Sequence, residues 1–102
     1  MDLTEFRASL SAPVPPGGIS NLLQAMWYDG KGDWEASHNI AQDIHSKEGS
    51  WIHAYLHRKE GDEANAAYWY ARAGRKIPSI GLQEEWDLLC TAFLSAKPEA
   101  KS

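Results

Sequence analysis

Two histidines four residues apart, His53 and His57, carry the most chemistry in this sequence of 102 residues. Side chains four apart share one helix face, so both imidazoles can reach one ligand or one buried partner. An i,i+4 histidine pair supplies two metal ligands, and His38 or His45 on a neighbouring helix would complete a set. The residue after His53 is Ala54, so the glutamate of a zinc-protease motif is missing. The preferred reading is structural histidines held by hydrogen bonds, with no metal and no cofactor. As an organic-ligand site the pair would draw on Asn65, Trp69 and Arg72 across a helical hairpin.

A second face of the same segment carries Trp51, Tyr55 and Arg58, an aromatic stripe ending in a cation. Aromatic residues and arginine dominate binding hot spots, so this stripe is the candidate surface for a peptide or protein partner. Tyr68, Arg72, Arg75 and Lys76 form a cationic face that reads as solvated, with an anion as the sharper option. Glu35, Asp43 and Glu48 occur near His38 and His45, but no spacing demands acid–base work, and no catalytic constellation is expected. Cys90, the only cysteine, falls on an apolar stripe as a buried thiol and allows no intramolecular disulfide.

These residues need helices to position them. Gly61-Asp62 separates two amphipathic runs, Gly ending one helix and Asp capping the next. So short a turn forces antiparallel packing, which brings His53 near Trp69 and His57 near Asn65. Upstream, 2–10 reads as a short helix and 11–19 as a Pro/Gly break. Ser20 caps a helix through about Tyr28, and Asp33 caps a third helix reaching Ile44, with His38 and His45 on one side. Lys47–Gly49 is expected to break that helix, and Leu82–Ser95 to form the last one. A single all-α domain is predicted: 2–10 short helix, 19–47 first helix pair, 49–78 second pair, 81–95 capping helix, 96–102 frayed tail.

Gly32-Asp33 and Gly61-Asp62 occupy equivalent turns 29 residues apart. Helix pairs repeating at this period suggest a short solenoid. At Ala54, Gly61, Ala66, Tyr70, Ala73 and Pro78 the second unit resembles the tetratricopeptide repeat. The first resembles it at Ala25, Tyr28, Gly32 and Trp34, with Ser37, Ala41 and Ile44 departing from the pattern. The resemblance implies a right-handed superhelix whose first helices line a concave, peptide-binding groove holding Trp51, Tyr55 and Arg58. The Lys and Asn of the family's carboxylate clamp are missing at the groove positions. The phrase WIHAYLHRKEGD is also similar to a signature of small uncharacterised proteins of bacteria and fungi, which implies the hairpin and no activity.

Ten basic and fourteen acidic residues give a net charge of −4, which argues against nucleic-acid or anionic-membrane partners. From Lys47 to Lys76 the balance reverses, with six Lys/Arg against four Asp/Glu. No run is apolar enough for a signal peptide or a bilayer span, so a cytoplasmic protein is expected. The functional expectation is a non-catalytic interaction module for a peptide, a protein or a second copy. The alternative is a small-molecule or metal site at His53 and His57.

Overall fold

The structure, a computed structural model, describes residues 1–95, which form six α-helices and one 3-10 turn and contain no strand. The chain runs α1 (Leu3–Ala8), a 3-10 turn (Ser9–Ser11), α2 (Asn21–Gly30), α3 (Trp34–Ala41), α4 (Lys47–Glu60), α5 (Glu63–Ala73) and α6 (Leu82–Ser95). The all-α expectation holds, and the tail assigned to 96–102 lies outside the described residues. No described helix is long and apolar enough to cross a membrane.

Local chemistry explains the boundaries. Asp2 and Glu5 form a reciprocal capping box on α1. Ser20, Asp33, Ser46 and Asp62 each cap a helix by accepting a backbone N–H three residues on. Gly61 and Gly74 end α4 and α5 at φ of 90° and 72°, the left-handed region that glycine enters without steric cost.

The α3–α4 connection departs from expectation. Helix α3 ends at Ala41, so Ile44 and His45 belong to the loop, and Lys47–Gly49 is the first turn of α4 rather than a break. Ser46 is the reason: its Oγ accepts from Gly49 N at 3.1 Å and starts α4 early. Gly49 is buried because the loop backbone runs directly over it. A Cβ there would stand 2.1 Å from the Ile44 carbonyl oxygen.

Helices α2 and α3 pack as one hairpin, α4 and α5 as another, and α3 joins the two through α4. Helix α6 packs against α2, α4 and α1, and the 3-10 turn after α1 is bonded to α2 through Ser9 and Trp27. The core runs through Phe6, Met26, Trp27, Ile52, Leu56, Tyr70, Trp86 and Leu89, all but Trp86 almost completely buried. Four of the five tryptophans also satisfy their indole N–H: Trp27 to Ser9, Trp34 to Leu56, Trp51 to Glu85 and Trp86 to Met26. The aromatic payload of this small core is therefore buried without orphaned donors.

Candidate functional site

Helix α4 presents His53 and His57 on one face, their rings stacked with centroids 5.0 Å apart. Helix α5 lays Trp69 flat on His53 at 4.0 Å, the neighbour that the hairpin register predicts. Helix α3 closes the other side with His38, whose ring meets His53 edge-on at 4.6 Å and His57 at 5.5 Å. Trp34 then stacks on His38 at 4.9 Å and 10°. Three imidazoles thus lie between two indoles, at the seam of the two hairpins. Each offers one ring nitrogen, and the three lie within 4.8 Å of one another.

The hydrogen bonds engage one nitrogen of each ring. His57 Nδ1 lies 2.7 Å from Glu60 Oε2, and a carboxylate only accepts, so Nδ1–H is the donor and Nε2 is the nitrogen left to face a ligand. A carboxylate–histidine pair of this kind orients and strengthens a metal-ligating imidazole. His53 Nε2 and His38 Nε2 stand 2.8 Å apart and share one proton between them. Burial, then the neighbouring imidazoles His38 and His57, holds His53 down to a pKa of about 4. Burial, followed by His57, lowers His38 as well. His53 is therefore neutral at pH 7, the state a metal ligand requires, and His38 is shifted in the same direction.

The set suits a borderline divalent ion. Zinc takes imidazole nitrogen at about 2.0–2.1 Å, which in tetrahedral geometry places two donors about 3.3 Å apart. His38 and His53 need to part by about half an ångström to reach that spacing, and His57, in a set spread over as much as 4.8 Å, would have to turn inward. Three histidines leave a fourth coordination position for water or another ligand. His45, the other candidate to complete the set, belongs to the loop and lines a cleft beside the cluster instead.

The other predicted residues distribute differently. Asn65 turns back onto Asp62, with its N and Nδ2 each 3.3 Å from that carboxylate. Arg72 is exposed, over the rings of Tyr68 and Trp69, and borders the same cleft as His53. Trp51, Tyr55 and Arg58 do share a face of α4, but α6 covers it. Trp51 and Tyr55 are 4% and 2% exposed, so both rings are core and only an edge of Trp51 reaches a cleft.

That covered face holds two buried polar networks. Glu85 of α6 accepts from Trp51 Nε1 at 3.2 Å, Tyr70 Oη at 2.6 Å and Arg58 at 2.6 Å. Arg58 also donates to the Ile80 carbonyl. Asp29 of α2 accepts from Tyr55 Oη at 2.8 Å and Lys59 Nζ at 2.9 Å. Burial, reinforced by these carboxylates, raises both tyrosine hydroxyls far above their ordinary range, so they remain donors. Cys90 is buried and burial raises its thiol, which keeps it inert.

Sequence reasoning missed Glu60 and Glu85. Glu60 stands three after His57, a helical spacing that offers a signal in hindsight. Glu85, in the first turn of an amphipathic helix, carried no sign that it would be buried. Comparison with models of known families, with curated proteins and with solved structures found no significant match for this chain.

Proposed function

We propose that this chain is a tetratricopeptide-like stack of two helical hairpins that binds a divalent transition-metal ion through His38, His53 and His57. The observation that carries the reading is the convergence of three ring nitrogens within 4.8 Å, from two helices, with Glu60 behind one of them. Imidazole donors suit zinc, copper and nickel rather than magnesium or calcium. The half-buried rings of Trp34 and Trp69 wall the cluster on two sides and limit the water that reaches it.

Isothermal titration of protein passed over a chelating resin tests this with Zn2+, Ni2+ and Cu2+. One equivalent should bind to the parent chain and to His45→Ala. His38→Ala and His53→Gln should lose binding while circular dichroism shows helicity retained. Binding that survives His38→Ala, or no binding by the parent, overturns the proposal.

A second reading keeps a peptide partner or a second copy of the chain. A cleft of about 890 Å3 between α2, α4 and α6 is lined by Leu22, Leu23, Phe93 and an edge of Trp51. Arg75, stacked 3.4 Å over Trp51, adds a cation to its rim. Tyr55 and Arg58 are occupied inside the fold, so this reading rests on Leu22, Trp51 and Arg75. Sedimentation should show self-association that Leu22→Asp abolishes, or else a monomer whose peptide binding the same change removes. A monomer that binds no member of a peptide array excludes it.

A further inference from the structure

Beside the histidine cluster a cleft of about 320 Å3 opens between the α3–α4 loop, the first turns of α4 and the last turns of α5. Arg72, Lys47 and His45 border it, Trp69 and Ile44 form apolar walls, and His53 is part of its lining. No carboxylate lines this cleft. Among the described residues none of the three basic side chains has a carboxylate within 4.0 Å, since the ion pairs join Arg7 to Asp87, His57 to Glu60, Arg58 to Glu85 and Lys59 to Asp29. In a chain of net charge −4 this is a local reversal of sign.

The guanidinium is held for use rather than consumed. Arg72 lies 5.5 Å from the Trp69 ring centre and 5.8 Å from that of Tyr68, with a single 3.4 Å hydrogen bond to the Tyr68 hydroxyl. Stacking restrains the planar fork and leaves most of its N–H donors unspent. The same mouth carries Ser46 and Lys47, at the positive end of the α4 dipole. Glu48, the one acid in that first turn, borders the neighbouring cleft instead.

We propose that this cleft binds a small oxyanion, a carboxylate or a phosphate, with Arg72 as its principal contact and Lys47 and the α4 N-terminus as support. The volume fits one small metabolite, and Trp69 covers its apolar part. This goes beyond the metal reading and does not depend on it, because Arg72 and Lys47 are not metal ligands.

Amide NMR of metal-free protein, titrated with inorganic phosphate and separately with succinate at constant ionic strength, is the test. Saturable shifts should appear at residues 42–50 and at the Trp69 indole, with one anion saturating first and so naming the class. Arg72→Gln should weaken binding at least about tenfold, as loss of a charge-assisted bond does. Lys47→Gln should weaken it less, and His38→Ala, which removes the proposed metal site, should leave it intact. Sodium chloride producing the same shifts, or Arg72→Gln binding as tightly as the parent, overturns the proposal. Loss of metal binding alone in His38→Ala separates the two sites.

Discussion

His38 and His53 face each other Nε2 to Nε2 at 2.8 Å across the seam between two helical hairpins. One proton serves both nitrogens, and both can ligate a metal ion only with that proton moved to Nδ1 of the imidazole that carries it. His57 completes the cluster from the next turn of α4, oriented by Glu60.

Glu60 gives the first prediction. Glu60→Ala should lower zinc affinity by about 10–100-fold, the usual cost of losing a carboxylate behind a ligating histidine. Glu60→Gln keeps an acceptor for Nδ1–H but not the charge, so it should fall between parent and alanine. Calorimetry reads both. Equal affinity in all three proteins would mean that Glu60 makes only a surface contact.

Acid should destabilise the apoprotein through His53. Its pKa is about 4 when folded, against 6.5 for the free side chain. Between those values the unfolded chain binds the extra proton, so stability rises with pH across that window and levels off above it. The contribution is on the order of 2 kcal/mol. Urea unfolding at pH 4.5, 5.5 and 7 should show this slope, and His53→Phe should flatten it. An unchanged slope in that variant would assign the acid sensitivity elsewhere.

Glu85 should be one of the most sensitive positions for folding. Glu85→Ala strands the Tyr70 hydroxyl and the Trp51 indole N–H, and takes the carboxylate from Arg58. Breaking a buried pair from one side costs about 3–5 kcal/mol. The double change Glu85→Leu with Arg58→Met should recover part of that loss, which denaturant midpoints can measure. A cost below about 1 kcal/mol for the single change would show the network to be solvated.

Gly49→Ala should destabilise although alanine favours helices. The added methyl meets the Ile44 carbonyl at 2.1 Å, so the α3–α4 loop must move. We expect a loss above about 2 kcal/mol, in the range of overpacked sites. Because Ile44 and Gly49 also line the proposed anion cleft, amide shifts should spread through residues 42–50.

Ser37→Ala should do the opposite. The Ser37 hydroxyl is fully buried and has no hydrogen-bond partner among the described residues. Removing an orphaned polar group relieves its desolvation cost, so thermal unfolding should be unchanged or up to about 1 kcal/mol more stable.

The local choices of this chain were legible in its sequence because they act over three or four residues. Asp33, Asp62 and Ser20 cap helices, Gly61 ends one, and His53 and His57 share a face. A short turn then places Trp69 on His53. Everything separated by helix docking was decided in three dimensions. Helix α3 ends at Ala41 and Ser46 caps α4, so His45 lies in the loop while His38 stays on the helix facing His53. Helix α6 crosses α4 and covers Trp51 and Tyr55, turning a stripe that resembled a groove into core. A helical period says which residues share a face. It does not say what will lie against that face, because that depends on the burial available from α6, 20 or more residues away.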